Sequence, residues 1–441
     1  MSAAPPHPAA AWDAAQRLRE DGRIGAATEA VVALWHAAPA DRAQTLAVLG
    51  FLKECAAHDR ALPIARDARR RWPGDARIAA EAGEIALALG LFDEAATALR
   101  EAIDLDPAQG PAWLRLAYCR RFDAADADVQ RFRRGWSDPQ LDAAAHLCAG
   151  FALGKALDDV GDFAEAARVL TEANALAHKI SPWRAEDWRG FVDAQLHAAA
   201  LPALPVDAGF NPIFVVGLPR SGTTLVASTL AKYADVRDRG ELNWIPALYG
   251  LLREQRQLHN PRSLAAVAAV IRAQMQRDDA PARFHLDKNP LNFRHLDFIA
   301  ACFPNAKIIH CRRGVRDTAL SIWMQHFAHE DLGFAYDFPA IAEVHKGCDT
   351  LMAHWRSRLP LSILDIDYER FVAEPDAQRQ RLQDFLGASA SSSAEPTPRS
   401  PGIVTTASVW QVRQPVYTHA VERWRRYAPY LPELVTQFPD A

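Results

Sequence analysis

A 34-residue period constrains the first half of this chain more than any other feature. Pro39, Pro73 and Pro107 stand 34 residues apart. So do Ala27, Ala61 and Ala95, and so do Ala68 and Ala102. A period of that size means one supersecondary unit per repeat, which buries its apolar face only by stacking on its neighbours. From Ala9 to about Ala200 the chain is Ala-rich with few strand-like runs, so the unit reads as a helix pair. The clearest copy is Ala76 to Pro107, with Gly83, Gly90, Ala95 and Ala102 before a closing Leu105-Asp106-Pro107. Small residues suit a close crossing of two helices, and proline ends the second one. A weaker copy carries Gly154, Gly161, Ala166 and Ala173, each 71 residues later, which is two periods plus three residues. Trp113 lies in the copy between.

This pattern resembles the tetratricopeptide repeat. A generic Ala-rich bundle would not hold prolines, glycines and alanines to one offset. Such arrays present a concave surface that binds a peptide or another subunit. The helices could equally cap a second domain, and the sequence leaves both readings open.

At 441 residues the chain is too long for one ordinary core, so two or three domains are expected. With 50 Lys+Arg against 54 Asp+Glu, the net charge of −4 excludes a general nucleic-acid binder. It leaves room for a local basic pocket. The six cysteines are scattered, without a C-x-x-C pair or zinc spacing, so they read as buried thiols in a reducing compartment. The first residues, Met1 to Pro8, lack a basic segment and an apolar core of a secretory signal, and no apolar run reaches membrane-spanning length. The expected location is the cytoplasm.

Leu201-Pro202-Ala203-Leu204-Pro205, then Gly209 and Pro212, breaks the helical pattern. The expected domains are therefore 1–205, the repeat array, and 206–441. In the second, Ile213-Phe214-Val215-Val216, Lys307 to Cys311 and Leu361 to Ile366 read as buried strands. Helices from Leu225 to Ala231 and from about Asp317 to Phe327 alternate with them, which predicts an α/β domain with a mostly parallel sheet. Ala388 to Pro401 is Ser/Pro-rich without a core pattern and reads as a mobile loop.

The loop after the first strand carries the sharpest chemical signal. Gly217 and Gly222 bracket four residues, and Thr223 and Thr224 follow. This outline is P-loop-like. The glycines let successive N–H groups face an anion, and the next helix adds its positive end. A nucleotide triphosphatase would place Lys after Gly222, where this chain has Thr223; its cation is Arg220, inside the loop. Kinase or ATPase chemistry is disfavoured.

Pro219-Arg220-Ser221-Gly222-Thr223-Thr224 resembles the 5′-phosphosulfate loop of sulfotransferases that use 3′-phosphoadenosine 5′-phosphosulfate (PAPS). Arg313-Gly314-Val315-Arg316-Asp317-Thr318-Ala319-Leu320-Ser321 resembles their 3′-phosphate motif. Asp287-Lys288-Asn289-Pro290 and Phe303 to Lys307 are similar to tyrosylprotein sulfotransferases and to bacterial relatives with N-terminal tetratricopeptide repeats. Tyr368-Glu369 and Thr406 to Tyr417 extend the likeness, which runs from about Pro212 to Leu431. The Ser/Pro-rich insert before Thr405 departs from the pattern.

The resemblance implies PAPS as co-substrate, adenosine 3′,5′-bisphosphate as product, and no metal. It implies that Arg220, with Ser221, Gly222, Thr223 and Thr224, holds the 5′-phosphate and sulfuryl group. Arg313 and Ser321 would take the 3′-phosphate, Ser408 would face the sulfuryl group, and Gln411, Val412 and Arg413 would close over the nucleotide. Glu241 lies where the tyrosylprotein enzymes carry their catalytic Glu, and Lys288 matches the lysine that steadies the transferring group. The plainer alternatives are an acid in a first helical turn for Glu241 and a surface lysine paired with Asp287 for Lys288. No histidine base is expected. Trp410 and Trp424 read as core. The acceptor is a hydroxyl, on a tyrosine of a peptide or protein held by the repeats, or on a saccharide or small molecule. A homodimer is compatible with this reading. The competing reading is a repeat-based interaction module whose second domain binds the nucleotide without turning it over.

Overall fold

The computed structural model describes residues 8–37, 41–278, 281–327, 329–387 and 420–439. Ser408, Gln411, Val412, Arg413, Trp410 and the 388–401 stretch lie outside them.

Helices come first: α1 (Pro8–Glu20), α2 (Ile24–Ala37), α3 (Arg42–Glu54), α4 (His58–Arg71), α5 (Ala76–Ala88), α6 (Phe92–Leu105), α7 (Gly110–Tyr118), α8 (Ala127–Ser137), α9 (Ala143–Val160), α10 (Phe163–Ile180) and α11 (Ala185–His197). The period is visible in where they start. Ile24, His58 and Phe92 open α2, α4 and α6, 34 residues apart, and Arg42, Ala76 and Gly110 open α3, α5 and α7 at the same spacing. The caps repeat too: the Asp41 carboxylate accepts from Gln44 N–H, and the Asp75 carboxylate from Ile78 N–H. Each helix from α1 to α6 packs on the next. Gly83 shows why a small residue recurs there, since a Cβ would sit 2.6 Å from Leu99 Cγ. Ala27, Ala61, Ala95 and Ala102 are fully buried.

A second periodic device links the copies. Arg60 pairs with Glu29, Arg66 with Glu94, Arg69 with Glu101, Arg100 with Asp128 and Arg131 with Asp104, each bridging α2, α4, α6 or α8 to another of that set. Exposed pairs of this kind contribute little singly. Asp128 differs, with its side chain only 2% exposed. It accepts from Arg100 at 2.8 Å and from Arg120 at 3.0 Å. Burial alone would raise its pKa, but Arg100 and Arg120 hold it below the ordinary carboxylate value. A depressed acid lends stability above its unfolded pKa of about 4 and loses it as pH falls through the folded value. Asp128→Asn is therefore expected to lower the melting temperature at neutral pH. The gap to wild type should close as melts are taken below about pH 4. A gap independent of pH would assign the loss to packing.

After α11 the chain continues with β1 (Asn211–Gly217), α12 (Thr223–Leu230), β2 (Val236–Asp238), α13 (Trp244–Glu254), α14 (Pro261–Gln276), β3 (Phe284–Asp287), α15 (Leu296–Cys302), β4 (Lys307–Arg312), α16 (Val315–Trp323), α17 (Phe338–Arg358), β5 (Ser362–Asp367), α18 (Tyr368–Ala373), α19 (Pro375–Leu386) and α20 (Pro432–Gln437). The five strands form one parallel sheet in the order β2-β3-β1-β4-β5. β1 is central and buried from Pro212 to Gly217, as expected of a parallel strand covered on both faces. Ile213, Val215, Ile309 and Cys311 pack with Val226, Leu230 and Leu382 on one face. On the other, Phe214 stacks on Phe303.

By contact the chain divides into two compact units. One takes in the residues through Ala156 with Arg272–Pro281; the other takes in Leu157–Ile271, residues 282–387 and the C-terminal segment from 420. Among the described residues no helix is long and apolar enough to cross a membrane. All six cysteines are buried and free.

Candidate active site

Because the five strands are parallel, all their C-terminal ends reach one edge of the sheet. The chain leaves β1 for β2 on one side and later returns to β4 on the other, so β1 is the switch point where such sheets bind ligands. The loop after β1 holds Arg220, the loop after β2 holds Glu241, the residue after β3 is Lys288, and the residue after Arg312 in β4 is Arg313.

The Arg220 loop is built on strained and positive-φ backbone. Gly217 has φ +144°, and a Cβ there would lie 2.5 Å from Cys311 O. Gly222 has φ +98° and caps α12; its Cβ would lie 2.9 Å from the Tyr368 ring. Arg220 itself sits at φ +68°, a conformation that costs a non-glycine residue about 1–3 kcal/mol. The first amides of α12, from Thr223 onward, have no acceptor inside the helix. Ser221 turns inward instead: it is 3% exposed and its hydroxyl donates to Leu218 O at 2.8 Å. Thr223 is buried and Thr224 half-buried.

Arg220, Arg313 and Ser321 come together. Arg220 Nε donates to Ser321 Oγ at 3.1 Å. Arg313 Nη1 donates to Arg220 O at 3.2 Å, and Nη2 to Ala420 O at 2.7 Å. The Arg313 guanidinium lies 4.7 Å from the Tyr368 ring centroid, and the Glu369 carboxylate accepts from Gly314 N–H at 2.9 Å. Arg313 Nε is buried without a hydrogen-bond partner among the described residues.

The C-terminal segment is fastened to the same place. Asp317, in the first turn of α16, accepts from the backbone N–H of Glu422 at 2.6 Å and of Trp424 at 2.9 Å. Arg316 Nε donates to Phe438 O at 2.7 Å, and its guanidinium stacks on Trp424, 4.4 Å from the centroid. Trp424 is therefore half-buried between Arg316 and Arg425 rather than part of the core expected for it. Deeper in, Asp158 takes Tyr427 Oη at 2.7 Å and Arg423 at 2.5 Å.

On the other side of β1, Lys288 Nζ pairs with Glu241. The lysine side chain is 6% exposed and the glutamate 41%. Neither plainer alternative holds. Lys288 is buried and pairs with Glu241 instead of Asp287, and Glu241 precedes α13, whose cap is Asn243. Asp287 faces two neutral donors, Leu242 N–H at 3.1 Å and Asn292 Nδ2 at 3.0 Å. Burial pushes its carboxyl up to about 8. Sequence reasoning missed these grips, and Asp317, because Leu242, Glu422 and Trp424 offer backbone N–H groups from distant parts of the chain. Among the described residues no group of three or more His, Cys, Asp or Glu could hold a metal.

Residues 212–392 match the family described as "Sulfotransferase family". The second half of the chain carries a sulfotransferase-family domain. An uncharacterized protein of Aquifex aeolicus (strain VF5) is 27% identical over 396 residues, 85% of this chain and 52% of its own length. Protein-tyrosine sulfotransferase 2 of Gallus gallus is 26% identical over 238 residues, 49% of this chain and 64% of its own. The chain thus spans about half to two-thirds of these relatives. The solved sulfotransferase domain of the Synechococcus PCC 7002 olefin synthase is 20% identical and covers 54% of this chain and 98% of its own, at a TM-score of 0.37. Within this sulfotransferase-family domain lie the Arg220 loop, Glu241, Lys288, Arg313 and Ser321.

Proposed function

We propose that the protein transfers a sulfuryl group from PAPS to an acceptor hydroxyl, with Glu241 as general base. One observation carries the reading: Arg220 and Arg313, which follow β1 and β4, lie together beside a positive-φ loop, Arg220 donating to Ser321 Oγ and Arg313 to Arg220 O, while a buried lysine pairs with a half-exposed glutamate at the same sheet edge. The residues present fit a doubly phosphorylated nucleotide. Arg313 has a buried N–H without an acceptor among the described residues. The α12 amides and Arg220 suit one anionic group, and Arg313 with Ser321 suits a second.

PAPS supplies an activated sulfuryl group. The S–O bond to the 5′-phosphate breaks as a new S–O bond forms to the acceptor oxygen. The hydroxyl proton goes to the Glu241 carboxylate, leaving adenosine 3′,5′-bisphosphate and a sulfate ester. Lys288 and Arg220 place positive charge where negative charge builds, and the fixed loop positions the group for in-line transfer. Several relatives are named protein-tyrosine sulfotransferases, which favours a peptide tyrosine as the acceptor, held by the repeat domain of residues 1–205.

Adenosine 3′,5′-bisphosphate is expected to raise the melting temperature more than ATP does, because ATP offers no 3′-phosphate. Purified protein with radiolabelled PAPS should then sulfate one of three acceptors: a tyrosine-containing peptide, a simple phenol or a saccharide. Stabilisation by the bisphosphate without transfer to any of them would make the domain a nucleotide-binding module instead. Greater stabilisation by ATP would return the loop to nucleotide triphosphate chemistry.

A further inference from the structure

We infer that Asp287 is a positioning residue that sets the place of the Glu241 carboxylate. The inference rests on the reading of Glu241 as the base.

Glu241 lies in a connection with no regular structure of its own, between the end of β2 and the start of α13. Such a segment would ordinarily be mobile. Here four contacts from β3 and the residues just after it hold the backbone on either side of Glu241. Arg239 N–H donates to Leu286 O at 2.9 Å, and Lys288 N–H donates to Gly240 O at 2.8 Å. Asn289 Nδ2 donates to Leu242 O at 3.0 Å. Asp287 completes the set by accepting from Leu242 N–H at 3.1 Å. The residues before and after Glu241 are thus both held, and only its side chain projects, against Lys288.

Asp287 is the costly member of this set. It is 1% exposed, and burying a carboxyl is unfavourable unless its oxygens are satisfied. Both are, by Leu242 N–H and Asn292 Nδ2, and neither donor is a cation. A charge partner for Lys288 would have faced the ammonium next to it in sequence. Asp287 instead faces the backbone that carries Glu241. Asn292 Oδ1 is buried without a hydrogen-bond partner among the described residues. Turning that amide would offer an acceptor to a neutral group at position 287. An asparagine there can therefore keep both contacts, accepting from Leu242 and donating to Asn292.

The test compares Asp287→Ala, Asp287→Asn, Asn289→Ala and Glu241→Ala in the full chain. It uses radiolabelled PAPS and whichever of the three acceptors wild type sulfates. A misplacement of about 1 Å in a reacting group costs on the order of 10²-fold. Asp287→Ala is expected to lower kcat by about that factor while the Kd for adenosine 3′,5′-bisphosphate changes less than about twofold. Asp287→Asn should restore kcat to near wild type. An Asp287→Ala enzyme with unchanged kcat would overturn the inference. So would equal losses in the Ala and Asn variants, which would mean that the charge matters rather than the grip. Should Asp287→Ala not fold, Asn289→Ala decides: it releases Leu242 O from the same loop, and full activity in it overturns the inference. Full activity in Glu241→Ala would overturn the base reading itself, and this inference with it. Loss there with an unaffected Asp287→Ala would overturn the positioning role alone.

Discussion

Glu241→Ala is expected to cut sulfuryl transfer by about 10²–10⁴-fold, the usual worth of a positioned base, while adenosine 3′,5′-bisphosphate still binds. The geometry argues for this separation. Glu241 is the partner of Lys288, whose side chain is 6% exposed. Removing the acid leaves a buried ammonium uncompensated, which is unfavourable in the free protein. A bound nucleotide brings negative charge to the same sheet edge and relieves that penalty. Affinity for the bisphosphate should therefore hold or rise. Glu241→Gln, which keeps the volume, should match the Ala variant in rate. Titration calorimetry with the bisphosphate beside the transfer assay separates the cases. Binding lost together with activity would make Glu241 a support for Lys288 and not a base.

Arg313→Ala is expected to weaken PAPS about 10- to 100-fold, as for loss of one or two charge-assisted hydrogen bonds. Adenosine 5′-phosphosulfate, which has no 3′-phosphate, should be affected far less. The ratio matters more than either value. Arg313 also donates to Arg220 O and Ala420 O, so its loss loosens the loop for every nucleotide. Only the 3′-phosphate contact distinguishes the two ligands. Competition binding gives both constants, and equal losses would remove the 3′-phosphate role from Arg313.

The parts of the fold that were legible in sequence are those with a local cause. The repeat showed itself because a close crossing of α5 and α6 admits only a small residue at Gly83. β1 and β4 were legible because they are interior strands, apolar on both faces. β2 has three residues, and β3 has four, with His285 and Asp287 among them, too short and too polar for a pattern to form. The helix after β4 was expected from Asp317 to Phe327 but runs from Val315 to Trp323. Its start follows Gly314, whose N–H is taken by Glu369, a residue far along the chain. The site divides the same way. The two glycines and the one arginine of the first loop, Gly217, Gly222 and Arg220, announced themselves by spacing. Nothing local told that Arg220 would adopt positive φ, or that Ser221 would turn from the ligand side to Leu218.

Asp317 holds the C-terminal segment by main-chain N–H groups alone, those of Glu422 and Trp424. The two ends of that clasp are therefore unequal under mutational drift. Almost any amino acid supplies the same N–H, so these two hydrogen bonds do not depend on which side chains stand at 422 and 424, proline excepted. The near end has no such latitude, because the clasp exists only while a carboxylate-like acceptor stands at the head of α16.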